Sequence, residues 1–430
     1  MTLRTQISRL VSTAWTSAAR RDLRCRVSRA RRRLSGASAT VHYFHQADDP
    51  YSHLAAQCLV RLAERYRIEL APHLVAPPDD AAAPERARLE AYALRDAARL
   101  ARRHGLSFPD EAVARDPDRV RAADAELAQA IGSGSFADAA VRAGEALWRG
   151  RGASTGTAES AVARQALAEG TALRGRLGHY LGGMLYFDGE WYWGVDRLHH
   201  LETRLRQKRL VNDPGSPRIA PFQEMALDGR RAARPPRIDF WFSFRSPYSC
   251  IAAPRVHRLA AYYGAEVRWR FILPMVMRGL PVPAAKRRYI MLDAKREAEV
   301  LGLRFGTAVD PVGEGVERAL AVLHRAIPLG RGAAFMESGL QAAFADGLDL
   351  ASDDGLRRAT HRAGLSDADV TAALADESWR PAAEENREAL FAAGLWGAPT
   401  CRVDGMPAHW GQDRLWALEE DLKASIAAET

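Results

Sequence analysis

The sequence predicts an α/β protein in which one plan occurs twice: strand–helix–strand, a block of helices, then strand–strand–helix. Three observations predict it. The stretch Ile238-Asp239-Phe240-Trp241-Phe242-Ser243-Phe244 is rich in β formers and leads to Ser246-Pro247, a hydroxyl for a helix N-cap and a proline suited to the first helical position. Ile251, Ala252, Val256, Leu259 and Ala260 then recur at helical spacing. With the numbering shifted by 197, Asp49-Pro50-Tyr51-Ser52 falls on Ser246-Pro247-Tyr248-Ser249, and Leu62-Ala63 and Tyr66 fall on Leu259-Ala260 and Tyr263. At the same offset Tyr92, Asp96, Gly105-Leu106 and Phe108 fall on Tyr289, Asp293, Gly302-Leu303 and Phe305, which reads as a tandem duplication.

The elements follow in order. Val41 to His45 is a short strand, Pro50 to Tyr66 a helix, and Ile68 to Val75 a second strand, together one right-handed βαβ unit. Residues 84–177 are alanine-rich and helical, broken by Gly132-Ser133-Gly134 and by Gly150 to Gly156. Met184 to Phe187 and Glu190 to Trp193 form a hairpin around Asp188-Gly189, and a helix from about Val195 to Leu205 closes the first copy. The basic, proline-containing run 206–236 reads as a linker. In the second copy Glu266 to Leu273 is the next strand, 283–394 a helical insertion, Ala398 to Val403 a strand, and the last helix begins near Trp410. The expected domains are a basic arm over 1–39, a first domain over 40–205, the linker over 206–236 and a second domain over 237–425.

The net charge of +8 is misleading, because residues 1–35 carry ten arginines and one acid, Asp22. The body is close to neutral, so nucleic acid is not an expected partner. In the arm, Leu3, Ile7, Leu10, Val11, Trp15 and Ala18 recur at roughly helical spacing with Arg4, Arg9, Arg20, Arg21 and Arg24 between them. Residues 1–36 therefore suit peripheral contact with an anionic membrane or an acidic partner, and equally a basic helix docked on its own protein. The arginine-rich, acid-poor start also resembles an organellar transit peptide. It lacks a secretory h-region, and no window is apolar enough to span a bilayer, so a cytoplasmic protein is the expectation. The four cysteines, Cys25, Cys58, Cys250 and Cys401, show neither C-x-x-C nor metal-ligand spacing; Cys58 and Cys250 read as buried small hydrophobes.

Ser246-Pro247-Tyr248-Ser249, the later Trp396-Gly397-Ala398-Pro399-Thr400 and the final Trp410-Gly411-Gln412-Asp413-Arg414-Leu415 occur in that order. Together they resemble the 2-hydroxychromene-2-carboxylate isomerase and kappa-class glutathione transferase family. The resemblance covers 237–422, with 40–205 similar to a diverged copy. It implies two tandem thioredoxin-like domains, each with a helical insertion of the DsbA/kappa type. It further implies that Ser246 is the catalytic serine holding the sulfur of glutathione, that the bond before Pro399 is cis, and that the Ala398 backbone pairs with the tripeptide. Gly411, Gln412 and Asp413 would grip the γ-glutamyl end, and Arg278 would face a substrate carboxylate. The segment after Arg278, usually carrying an asparagine in the family, is shortened here to Gly279-Leu280-Pro281-Val282.

The residues agree with that chemistry. A hydroxyl at a helix N-terminus favours a thiolate, and a thiolate is a covalent catalyst for isomerising a conjugated double bond. Disulfide exchange needs a protein thiol at this place, and neither copy has one. In the first copy Asp49 stands for the serine; it caps as well, but repels a thiolate. Gly182-Gly183-Met184 stands for Ala398-Pro399-Thr400, so a trans loop is expected there. The resulting expectation is a glutathione-dependent isomerase acting on an aromatic-degradation-like carboxylate. A kappa-like glutathione transferase and a non-catalytic tandem scaffold remain open. Ser246 as a plain helix cap, Arg278 as a solvated loop residue, Tyr248 and Trp191-Tyr192-Trp193 as packing, and Lys286-Arg287-Arg288 as a wet helix face are the plainer readings.

Overall fold

The computed structural model describes residues 3–34, 38–151 and 160–428. Most of the glycine break expected over Gly150 to Gly156, and the side chains of Leu3 and Arg4, lie outside the described residues. Two compact units result: residues 22–222, and residues 223–430 together with 1–21. The arm is thus shared between the units.

The N-terminal unit contains most of α2 (Ala18–Leu34), β1 (Thr40–His45), α3 (Pro50–Ala56), α4 (Leu59–Arg65) and β2 (Glu69–Leu74). The helices α5 (Arg86–His104), α6 (Pro117–Ala130), α7 (Phe136–Trp148) and α8 (Ala161–Arg176) follow, then β3 (Met184–Phe187), β4 (Glu190–Trp193) and α9 (Leu198–Gln207). Its sheet runs β2-β1-β3-β4, with β1 and β2 parallel and the other pairs antiparallel. Asp188 and Gly189 both take positive φ, 50° and 86°, as the tight β3–β4 turn requires. The single helix expected from Pro50 to Tyr66 is two, separated at Gln57 and Cys58. Gln57 bonds both the N–H and the C=O of Ser107, at 2.8 Å each, and so spends its side chain on the neighbouring loop.

The C-terminal unit contains α1 (Leu3–Thr16), β5 (Arg237–Phe242), α10 (Pro247–Tyr263) and β6 (Glu266–Phe271). Six helices come next: α11 (Ala284–Val300), α12 (Glu314–Ala326), α13 (Gly332–Gln341), α14 (Asp353–Arg362), α15 (Asp367–Leu374) and α16 (Trp379–Ala392). β7 (Thr400–Val403), β8 (His409–Trp410) and α17 (Leu415–Ala428) complete it. Its sheet order, β6-β5-β7-β8, has the same senses as the first. The registers also coincide: Thr40 opposes Glu69 as Arg237 opposes Glu266, each residue shifted by 197. Phe44 opposes Met184 as Trp241 opposes Thr400, which makes Met184 and Thr400 positional equivalents.

Alternation along β5 sorts its two faces. Ile238, Phe240 and Phe242 are fully buried in the core with Ile251, Val256 and Leu259 of α10, each phenyl contributing about 1.5–3 kcal/mol. The other face carries Trp241, whose Nε1 donates to Asn386 O of α16 (2.8 Å), and Asp239. Asp239 is wholly buried and pairs with Arg268 (2.8 Å) and Arg270 (2.7 Å) of β6 and Arg402 (2.6 Å) of β7.

The run expected to be a linker is tied down at both ends by one device used twice. In the N-terminal unit, buried Glu202 of α9 accepts from Tyr66 OH (2.9 Å), Ile219 N (3.0 Å) and Ala220 N (3.3 Å). In the C-terminal unit, buried Glu419 of α17 accepts from Tyr263 OH (2.7 Å), Ala226 N (2.6 Å) and Leu227 N (2.6 Å). A buried carboxylate needs such donors, and otherwise unpaired linker amides supply them.

Candidate functional site

Ser246 is held where strand β5 ends and α10 starts. Its backbone is extended (φ −96°, ψ 112°), its Oγ accepts from Ser249 N (3.1 Å), and Pro247 takes the first helical position. The residue before it is pinned by the fork of Arg245 on Asp310, 2.8 Å from each oxygen. The serine is half-buried, neither turned into the core nor fully exposed. Its hydroxyl donates to Ala398 O (3.2 Å), and Ala398–Pro399 is a cis peptide bond.

The loop facing Ser246 is fixed carbonyl by carbonyl. Trp396 O accepts from Arg278 Nη2 (2.9 Å), Gly397 O from Thr400 Oγ1 (2.8 Å), Ala398 O from Ser246 Oγ, and Pro399 O from Gly411 N (3.0 Å). Three sequence-flagged residues, Ser246, Arg278 and Gly411, therefore converge on the segment that contains Ala398 and Pro399. Gly411 has φ 114°, a conformation that excludes a side chain. A Cβ on Gly397 would lie 2.8 Å from the Trp410 indole, so glycine there admits that ring against the loop.

Gln412 and Asp413 are placed differently from each other. The Gln412 carboxamide points inward: Nε2 donates to Glu297 Oε2 (2.7 Å) and Oε1 accepts from Arg255 Nη1 (2.7 Å). Arg255 also reaches Gln412 O (2.8 Å) and Glu224 (2.9 Å). Any ligand contact at Gln412 is thus left to its backbone. The Asp413 carboxylate folds back over Gly411, 3.7 Å from Arg414 Nη1. Arg255 was missed by the sequence reading, although it interrupts the apolar stripe Ile251, Ala252, Val256, Leu259, which is the signal of a buried, paired charge. Tyr248 OH donates to buried Asp293 (2.8 Å), which Arg296 also binds (2.9 Å), so the first turn of α10 is tied to α11.

Residues 237–423 match the model of the DSBA-like thioredoxin domain. Residues 237–423 are a DsbA-like thioredoxin domain. The 2-hydroxychromene-2-carboxylate isomerase of Pseudomonas putida is 26% identical over 195 residues, 43% of this chain and 93% of that protein. The selenomethionine structure of a 2-hydroxychromene-2-carboxylate isomerase is 22% identical over 45% of this chain and 97% of its own, with a TM-score of 0.40. The cytosolic disulfide reductase DsbM from Pseudomonas aeruginosa, solved with GSH, is 20% identical over 45% of this chain and 98% of its own, with a TM-score of 0.36.

The thiol chemistry of disulfide oxidoreductases finds no cysteine to run on in the DsbA-like domain. Cys250 and Cys401 are buried and unbridged, and burial pushes the Cys250 thiol up to about 12 and the Cys401 thiol up as well. Cys25 and Cys58 of the N-terminal unit are equally buried, with Cys58 raised to about 11 by burial. None offers a thiolate near neutral pH.

At the position that matches the serine of the DsbA-like domain, the N-terminal unit has Asp49, half-buried like Ser246. Asp49 caps α3 by accepting from Ser52 N (2.9 Å), Ser52 Oγ (2.7 Å) and Tyr51 N (3.3 Å). Gly183, with φ 63°, brings its backbone so near that a Cβ there would lie 3.1 Å from Asp49 Oδ2 and 3.2 Å from Ser52 N. Burial raises the Asp49 carboxyl to about 6, against the hydrogen bonds from Ser52 and Tyr51 that lower it. An acid raised in the fold binds more protons folded than unfolded, so its contribution to stability declines as pH climbs from about 4 through 6. Asp49→Asn, an equally good cap, is expected to melt above the parent at pH 7, with the difference vanishing towards pH 4 in paired thermal melts.

Proposed function

We propose that the DsbA-like domain is a glutathione-dependent isomerase of the 2-hydroxychromene-2-carboxylate isomerase type, acting on a small, aromatic-degradation-like carboxylate. The observation that carries this is the Ser246 hydroxyl, half-buried at the start of a 17-residue helix and directed at the backbone beside cis-Pro399. The 26% identity across 93% of the Pseudomonas putida isomerase supports the reaction class.

The residues present suit a thiolate: one hydroxyl donor, the positive end of α10, and no carboxylate in the place where the N-terminal unit has Asp49. Ser246 and the Ala398 backbone would hold the cysteinyl part of glutathione; Gly411, the Gln412 backbone and Asp413 would hold its γ-glutamyl end. Glutathione supplies a nucleophilic sulfur able to turn a conjugated double bond transiently into one that rotates. The Ser246 proton, given to a neutral carbonyl in this structure, gains a stronger acceptor in an anion. Arg278, anchored to Trp396 O, sets a positive charge beside the same loop for the substrate carboxylate. Four unbridged cysteines, and a reaction of this kind that would draw on glutathione, support a cytoplasmic location. Among the described residues no helix is long and apolar enough to cross a membrane.

The test is turnover of a 2-hydroxychromene-2-carboxylate by the purified full chain with and without reduced glutathione. Isomerisation that requires glutathione is expected. Isomerisation that proceeds equally without it overturns the reading, and accumulation of a glutathione conjugate identifies a transferase instead. Arg278→Ala is expected to raise KM about tenfold or more with a smaller change in kcat, the pattern of a lost binding contact.

A further inference from the structure

Helix α1 meets its unit through hydroxyls. Thr5 Oγ1 donates to Asp349 (2.8 Å), Ser12 Oγ bonds both Ala308 O and Ala308 N (2.9 Å each), and Thr16 Oγ1 donates to Gly306 O (2.9 Å). Positions 5, 12 and 16 share one face of a helix. Ile7, Leu10, Val11 and Trp15 occupy the other side and are 51%, 71%, 41% and 46% exposed. The helix is therefore amphipathic in the sense opposite to an ordinary docked surface helix, which turns its hydrocarbon inward.

Helix α2, considered by itself, repeats the pattern. It buries Cys25, whose Sγ donates to Asp188 O (3.5 Å), and exposes Leu23, Val27 and Leu34. Arg20 and Arg26 are exposed beside them. By sequence, residues 1–35 hold ten arginines against one acid, so each of the two helices carries a net positive charge.

We propose that helix α1 with the residues up to Arg21 is an interfacial anchor that docks on an anionic lipid surface. The charge selects anionic headgroups, and the exposed Leu, Ile, Val and Trp side chains are the type that enter the boundary between headgroups and acyl chains, with tryptophan at headgroup depth. The hydroxyl face stays engaged with the loop 306–308, so no part of the fold has to open for docking. This role is independent of the chemistry at Ser246.

The experiment is co-sedimentation of the full chain with mixed phosphatidylglycerol–phosphatidylcholine vesicles, and with phosphatidylcholine alone. Recovery with the anionic vesicles at low salt is expected, falling in high salt and on neutral vesicles. The double variant Leu10→Asp, Trp15→Asp changes only exposed side chains, so its circular-dichroism melt should match the parent while vesicle affinity falls about tenfold or more. Absence of binding to anionic vesicles at low salt overturns the proposal, as does binding that the double variant leaves unchanged. A dimer in sedimentation equilibrium that the double variant breaks, without vesicle recovery by the parent, would assign the stripe to a second copy of the chain and also overturn it.

Discussion

Ser246→Ala is expected to lower glutathione-dependent kcat by about 10²–10³, the usual loss when one preorganised donor to a developing charge is removed. The fold should persist. The Oγ caps a single amide, Ser249 N, and losing such a cap costs about 1 kcal/mol. The bond to Ala398 O goes as well, but the loop keeps its three other anchors, from Arg278, Thr400 and Gly411. Ser246→Asp separates the two duties of the side chain. Aspartate caps α3 at the matching place in the N-terminal unit, so the variant should melt near the parent. Its carboxylate would stand beside the glutathione sulfur, and turnover should fall as far as in Ser246→Ala. An active Ser246→Asp protein would mean that the serine serves only as a cap.

Asp239→Asn is expected to destabilise the chain by about 3 kcal/mol, the scale of removing one partner from a buried ion pair. The carboxylate is wholly buried, and its partners Arg268, Arg270 and Arg402 are partly exposed, so water relieves some of their repulsion. Burial alone would raise the Asp239 pKa, but the hydrogen bonds and charges of Arg270, Arg402 and Arg268 outweigh it and hold the carboxyl below the usual aspartate range. A depressed acid stabilises the fold above its unfolded pKa, near 3.9, and loses that contribution as pH falls through the folded value. Urea melts should therefore show the gap between parent and variant at full size at pH 7 and narrowing below about pH 4. A gap that persists unchanged in acid would place the defect in packing instead of charge.

Much of the DsbA-like domain was legible because its signals are local. A strand of β formers running into Ser246-Pro247 fixes a cap and a helix start within a few residues, and Asp188-Gly189 specifies a tight turn by itself. The offset of 197 read from the sequence also relates the pairing registers of the two sheets, where a one-residue slip would turn every side chain of a strand to its other face. What was hidden depends on partners far along the chain. Gln412 turns inward because Arg255 and Glu297, 157 and 115 residues away, complete its hydrogen bonds. The matching roles of Glu202 and Glu419 were concealed because the helical blocks differ in length, which moves the offset from 197 to 217. For α1 the spacing announced a helix but not which face would dock; the carbonyls that claim its hydroxyls lie 290 or more residues downstream.

The most direct measurement is calorimetric titration of reduced glutathione into the full chain, with the pKa of the bound thiol followed by its ultraviolet thiolate absorbance. One glutathione per chain should bind, with a thiol pKa below that of the free tripeptide, and Ser246→Ala should raise it again. Absence of binding at millimolar glutathione, or a bound thiol whose pKa is the same in the parent and in Ser246→Ala, would contradict the account.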